Sequence, residues 1–571
     1  MKRVLPLLFF SLLSWPPLAA QEAIINYNNR FLPVFARQGM VVGPEKLATE
    51  VGAAILRAGG NAVDAAVATG FALAVTYPQA GNLGGGGFML IHLAQGDRQT
   101  LIDYRETAPA QAHRDLFLDE HGETDQQRER FSHQSAGVPG SVAGLLLALE
   151  KYGTMDLRQV IQPAIDLARE GFPVSFALDY ALARRQQKLQ EDPEARRIFF
   201  REDGSLYPVG STFQQADLAW TLQQIQQHGR SGFYRGEVAR RIVASMAAND
   251  GLINLGDLEA YSAMEREPLR GAYRNFDIVT TPPPSSGGIH ILQILNIMEG
   301  YDTRAWGHNS AVYLHHLGEA MKLAYADRSR YLGDPAYSEV PVAQLTAKHY
   351  AARLRGKIDP HRATPSAQIQ PGAVLVPENE DTTHFSVADR FGNLVSNTYT
   401  LNFSFGSHIV APGTGMLLNN EMADFASRPG MPNAYQLVEG EANSIEAGKR
   451  PLSSMTPTMV FRDGKPWLTT GSPGGSTIIT TVLQTILNAM DFDLNIATAA
   501  GSVRVHHQWM PDRLLVEQGL SPDTIPLLEQ RGHTVVQSPR TLGRTQSILL
   551  DQGLMQGATD SRRLGGWVAV Y

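Results

Sequence analysis

Apolar residues recur at spacings of three and four through the first half of the chain, a period that predicts helices. "PEKLATEVGAAILRAGGN" carries that spacing and stops at Gly59-Gly60, as a helix end does. "NAVDAAVATGFALAV" follows as a second helix, with Asn61 as its N-cap. The run Asn82-Leu83-Gly84-Gly85-Gly86-Gly87 breaks the pattern. After it, "FMLIHLA" and "TLIDYRE" read as two strands joined by the polar turn "QGDRQ". Helices resume through Arg330, interrupted by "TTPPPSSGG" at 280–288. From Pro360 to Asp381 the chain is rich in proline and poor in helical period, which predicts an exposed, easily cut loop. Beyond it the period drops to two. "THFSVAD" and "LVSNTYTLN" alternate around "RFGN", and "TPTMVFRD" and "KPWLTTG" around "DGK", giving two hairpins. "STIITTVLQTILNAM" is a long apolar helix, and "TQSILLD" and "GGWVAVY" close the chain as strands.

Strands paired as antiparallel hairpins, with helices segregated around them, predict an α+β layered fold and not a doubly wound sheet. The chain has 571 residues, 43% hydrophobic and 18% charged, ordinary proportions for a globular protein with a large core. Length alone allows about three or four domains. A net charge of -7 leaves no basic footprint for nucleic acid. The first residues stand apart: Lys2 and Arg3 precede an apolar run from Val4 to Leu13, and Leu18-Ala19-Ala20 offers a small-residue cleavage site before Gln21. This predicts a signal peptide over residues 1–20 and a periplasmic or secreted mature chain. After it, the best apolar run, Ala62 to Tyr77, is too short to span a bilayer and carries Asp64. The chain contains no cysteine, which excludes disulfides, thiolate metal sites and Cys nucleophiles.

Chemistry concentrates around "ENEDTTHFS". A threonine hydroxyl is a weak nucleophile and needs a base. Cutting Asp381–Thr382 would give Thr382 a free α-amine, whose ordinary pKa of about 8 makes it that base; the plain alternative is a strand threonine. Gly474 and Gly475 in "TTGSPGGSTIITTVLQ" lie between a strand and a helix, where backbone N–H groups can hold an oxyanion or simply make a tight turn. Arg105 is a natural partner for a carboxylate, or an ion-pair partner of Asp103 or Glu106. Ser453 and Ser454 offer hydroxyl donors, or start a strand. Glu421 and Asp424, three apart, share a face if helical and could hold an ammonium. Thr400 and Asn402, two apart on a predicted strand, point to one side. The pairs His315-His316 and His506-His507 cannot converge on one metal and read as packing residues, so no metal and no cofactor is expected.

The stretches "GNLGGGGFML", "DYRETAPA", "GVPGSVAGL", "PPPSSGGIH", "TTHFSVAD", "TYTLNFSFG", "LLNNEMADF", "KRPLSSMTPT" and "TGSPGGS", in this order, resemble the γ-glutamyltranspeptidases of the N-terminal nucleophile hydrolase superfamily. The resemblance covers essentially the whole mature chain. It implies a four-layered αββα sandwich and self-cleavage between Asp381 and Thr382. The products would be a large subunit, 21–381, and a small subunit, 382–571, held as a heterodimer. It implies Thr382 as the nucleophile that forms a γ-glutamyl ester from glutathione or related compounds, resolved by water or by an amino acid or peptide acceptor. It further implies Thr400 as support for the nucleophile. Asn402, Glu421 and Asp424 would bind the substrate α-amine, and Arg105, Ser453 and Ser454 its α-carboxylate. Gly474 and Gly475 would bind the oxyanion, and Tyr435 in "RPGMPNAYQLVEGEAN" would gate a lid. Many bacterial relatives carry Gln where this chain has Glu421, and the extra charge predicts tighter α-amine binding. Two other readings compete: a glutaryl-type β-lactam acylase of the same superfamily, which needs no clamp for an ammonium, and an uncleaved secreted binding protein.

Overall fold

The computed structural model describes residues 31–369, 382–433 and 436–571. The expected signal segment, Gln21, Asp381 and Tyr435 lie outside the described residues. Two seven-stranded sheets form the centre, antiparallel throughout. Their strands, in chain order, are β1 (Val34–Ala36), β2 (Met40–Gly43), β3 (Gly86–Leu93), β4 (Arg98–Asp103), β5 (Met264–Arg266), β6 (Leu269–Tyr273) and β7 (Phe276–Thr280). They continue as β8 (Thr382–Ala388), β9 (Leu394–Thr400), β10 (Thr458–Arg462), β11 (Lys465–Gly471), β12 (Gln546–Asp551), β13 (Leu554–Thr559) and β14 (Trp567–Val570). One sheet runs β14-β2-β8-β9-β3-β4-β5, the other β1-β13-β12-β11-β10-β7-β6.

Alternation along the strands builds the layers. Met40, Val42, Phe88 and Leu90 enter the core shared with the second sheet, while Val41, Met89, Ile91, Phe385 and Val387 enter the core under the helices of the first. The first sheet is covered by α1 (Lys46–Arg57), α2 (Ala62–Thr76), α3 (Ser141–Tyr152) and α4 (Leu157–Glu170). The second is covered by α5 (Gly287–Met298), α6 (Ala311–Tyr331) and α7 (Ile478–Met490). This is the expected αββα sandwich. Every residue of α2 is buried, so its sequence is apolar all round rather than on one face. Removing a ring there, as in Phe71→Ala, costs about 3–5 kcal/mol. Asn61 caps α2 as expected, in a reciprocal box with Asp64. The Glu45 carboxylate caps α1 and also accepts from Thr76 Oγ1 at 2.6 Å, tying the two helices.

Two expectations change. The region read as helix up to Arg330 contains β5, β6 and β7. The β6–β7 turn is Arg274-Asn275, with Arg274 at φ 53°, so the usual Asn-Gly signal is absent. And β9 stops at Thr400; Asn402 lies beyond it in the left-handed region, φ 76°. Asn402 reaches the same pocket as Thr400 through a bend, not through strand alternation.

Candidate active site

β8 begins at Thr382, a central strand paired with β9 over its whole length, Thr382 opposite Thr400. Its even-numbered side chains enter the space between the sheets. His384 lies against Gly471, and Ser386 Oγ donates to the Gln546 carbonyl at 2.9 Å. Burial pushes the His384 imidazole down to about 3, so it stays neutral as it bonds Thr398 Oγ1 at 2.8 Å. Thr383 points to the opposite face, where its hydroxyl finds no partner among the described residues. The two threonines are thus separated by the pleat: Thr382 lines a pocket and Thr383 packs.

Thr400 Oγ1 donates to Thr382 Oγ1 at 3.3 Å and accepts from the Asn402 amide at 2.8 Å. A donor to the Thr382 oxygen leaves the proton of Thr382 itself for a base. Asn402 Nδ2 donates to the Asn420 carbonyl at 3.0 Å, linking the bend to the short helical turn Glu421–Asp424. Asn419 sets that turn. Its amide donates to the carbonyls of Gly84 and Gly137 at 2.7 Å each, and its oxygen accepts from Gly137 N and Glu421 N. The glycine run is there because backbones touch: a Cβ on Gly85 would lie 1.9 Å from the Thr400 carbonyl oxygen.

Arg105 lies at the floor of the pocket, 1% exposed. Its guanidinium bonds Glu421 Oε1 and Asp424 Oδ2, stands 3.4 Å from Glu106 Oε2, and donates through Nε to the Pro451 carbonyl at 3.2 Å. Burial alone would lower its pKa, but Glu421, Asp424 and Glu106 together hold it well above its ordinary value. Three carboxylates share one guanidinium. Burial therefore pushes Glu106 up to about 7 against the pull of Arg105, and pushes Glu421 well above its usual range, with Glu106 and Asp424 adding to the effect. Glu421 Oε2 and Asp424 Oδ1 are buried and have no hydrogen-bond partner among the described residues.

Ser453 and Ser454 also line the pocket. The motif "PPPSSGG" shapes their loop. Ser286 N and Oγ both donate to the Ser453 carbonyl at 2.8 Å, Ser453 N donates to the Pro284 carbonyl at 2.9 Å, and Ser285 Oγ donates to the Met455 carbonyl at 2.7 Å. Gly475 lines the pocket at φ 52°, opening a short turn that leads into α7; Gly474, at φ 139°, is its neighbour and does not line the pocket. Sequence reasoning missed Arg328 and Glu439, a buried ion pair in the pocket wall. Arg328 Nε donates to Ser286 Oγ at 3.0 Å and Nη2 approaches Ser454 Oγ at 3.5 Å. A lone arginine inside a helix gives no local signal; its partners lie 42 and 111 residues away. Asn433 and Leu437, from the expected lid segment, also line the pocket. The paired histidines pack and bond as expected: His315 Nδ1 meets His533 Nε2 at 2.8 Å, and His506 Nδ1 meets Thr480 Oγ1 at 2.8 Å.

Two antiparallel sheets between helical layers, with a threonine opening a central strand at a polar pocket, define an N-terminal nucleophile hydrolase fold. Comparison narrows this. A family model described as gamma-glutamyltranspeptidase matches residues 48–570. The glutathione hydrolase proenzyme of Escherichia coli (strain K12) is 51% identical over 542 residues, 95% of this chain and 93% of that protein. The glutathione hydrolase proenzyme of Pseudomonas sp. (strain A14) is 44% identical over 550 residues, covering 94% and 95%. Among solved structures, a cephalosporin acylase from Bacillus halodurans superposes with a TM-score of 0.84 over 99% of both chains, at 28% identity. The chain belongs to the γ-glutamyltranspeptidase family.

Proposed function

We propose that the chain is a self-processing precursor that becomes a glutathione hydrolase and γ-glutamyltransferase. The observation that carries this reading is the pair of buried oxygens on Glu421 and Asp424, unpartnered among the described residues, beside the Arg105 guanidinium. An ammonium has three N–H donors and no acceptor, which suits those two oxygens. A carboxylate suits Arg105 with Ser453 and Ser454. An α-amino acid end carries both charges. When it enters, its carboxylate takes over the guanidinium and its ammonium takes over the acids, so each desolvated charge keeps an opposite partner.

In the precursor, Thr382 Oγ attacks the Asp381 carbonyl carbon, the peptide C–N bond breaks, and the resulting ester is hydrolysed to separate 21–381 from 382–571. The freed α-amine of Thr382 then takes the hydroxyl proton as Oγ attacks the γ-carbonyl of the donor. Thr400 holds Oγ in place. The backbone N–H of Gly475, which lines the pocket, receives the developing oxyanion, with Gly474 setting the turn beside it; such a donor is worth about 2.7–4 kcal/mol. The amine returns its proton to the leaving amine. Water or an acceptor amine then attacks the γ-glutamyl ester. Asn402 completes the ammonium clamp. The leader at residues 1–20 directs the chain to the periplasm or outside the cell. No helix of the described residues is long and apolar enough to cross a membrane.

The acylase reading has support from the Bacillus halodurans neighbour, but a glutaryl group has nothing to offer the free oxygens of Glu421 and Asp424. Assaying a γ-glutamyl anilide beside a glutaryl anilide separates the two; preference for the glutaryl compound would reverse the assignment. A denaturing gel of the native protein should show two bands, the smaller starting Thr-Thr-His-Phe. Thr382→Ala should remain one chain and lack activity, and cleavage persisting in that variant would remove Thr382 from its role.

A further inference from the structure

A second cavity, of about 380 Å³, shares no lining residue with the catalytic pocket. Six arginines line it: Arg184, Arg185, Arg540, Arg544, Arg562 and Arg563. No Asp or Glu lines it among the described residues. The cluster does not follow from a basic composition, because the chain carries a net charge of -7. It is assembled from three places: the helix Phe176–Leu189, the segment 539–544 and the turn 562–564.

Among the described residues, Arg562 has carboxylate partners while Arg184, Arg544 and Arg563 have none. Arg562 pairs with Asp560 at 2.8 Å and with Glu517 at 2.5 Å. Arg544 is different. It is 7% exposed, its guanidinium bonds the Pro44 carbonyl, and its Nε is buried without a partner. Arg563 Nη2 donates to the Thr541 carbonyl at 2.9 Å, and its Nε is likewise buried and unpartnered. Among the described residues Arg184 reaches the ring and hydroxyl of Tyr180, the latter at 3.4 Å. None of these three has a carboxylate partner among the described residues. Cations gathered in a partly desolvated cavity repel one another, and a buried guanidinium without an anion is costly. An anion from outside removes both costs. The planar fork of arginine matches phosphate oxygens in pairs, and the volume falls in the range of small-ligand sites.

We propose that this cavity binds a small anion carrying two or more phosphate groups, at a site separate from the catalytic pocket. Such a group comes either as a free oligophosphate or as the phosphorylated headgroup of a lipid. Arg544 also supports the Gly474–Gly475 loop, since its amide donates to Ser472 Oγ at 2.8 Å. The test therefore uses Arg184→Gln combined with Arg563→Gln, which lie outside the catalytic pocket. Calorimetric titration of the purified full-length protein with tripolyphosphate should show one saturable site, weakened by added salt. The double variant should bind at least about tenfold more weakly, while melting and hydrolysing γ-glutamyl anilide like the native protein. No saturable binding to the native protein, or equal affinity in the double variant, overturns the proposal. Flotation with phosphatidylcholine vesicles, with or without a diphosphorylated lipid, distinguishes the sources. Flotation that needs that lipid and is reversed by tripolyphosphate assigns a headgroup. Tripolyphosphate binding without flotation assigns the free anion. Flotation of the double variant as strong as that of the native protein counts against the site.

Discussion

Replacing Glu421 with Gln probes the ammonium end of the catalytic pocket and separates binding from stability. In the native protein Glu421, Asp424 and Glu106 crowd one guanidinium, and Glu421 is 1% exposed. The substitution keeps the shape and removes one of three acids. For the substrate, it turns a charged hydrogen bond from the ammonium into a neutral one. Hydrogen bonds to charged groups are worth about 1.5–3 kcal/mol. Asp424 Oδ1 still accepts from the ammonium, so the lower end applies, a rise in KM of about tenfold. For the free protein the change is small. Burial keeps the proton on Glu421 there, so Gln replaces one neutral group with another and the melting temperature should hold. Because burial pushes the Glu421 pKa up, the native protein binds its ligand with loss of a proton, and the KM difference should widen as pH rises. Initial rates on a γ-glutamyl anilide and thermal melts of the same preparations measure both. An unchanged KM at all pH values, or a KM rise accompanied by a large drop in melting temperature, would refute the reasoning.

Thr400→Val keeps the volume but deletes the donor to Thr382 Oγ1 and the acceptor of Asn402 N. The orphaned amide should cost about 1–3 kcal/mol of stability, and both precursor cleavage on a gel and kcat should slow; native rates would remove Thr400 from the mechanism. Glu106, held at about 7 in the folded chain against an ordinary 4.5, binds its proton more tightly when folded. That contribution is full below the unfolded pKa and is lost as pH rises toward the folded value, so stability should decline across that window. Glu106→Gln should flatten the decline when melts at about pH 5 and about pH 8 are compared; an equally steep decline in the variant would place the proton elsewhere.

Much of the frame was legible because it rests on local rules. The cap at Asn61, the alternation of "THFSVAD" and "LVSNTYTLN", and the glycine stop after α1 each depend on neighbours a few residues apart. The same alternation distinguished Thr382 from Thr383. Strands β5 to β7 were not legible, since their turn uses Arg274-Asn275 and their pairing is fixed by β4 and β10, far along the chain. Strand alternation does not account for the position of Asn402, because a strand pattern does not announce its own last residue.

The sequence by itself determined the layers, the candidate nucleophile and the kinds of charge the pocket would need, since composition, period and motif order carry these. Only the tertiary structure decided which charges meet. Arg105 and Glu421 lie 316 residues apart, and Arg328 and Glu439 lie 111 apart. In the second cavity, Arg184 and Arg185 lie hundreds of residues before its other four arginines. Coulomb energy depends on distance and desolvation in the folded chain, and neither can be read from positions along it.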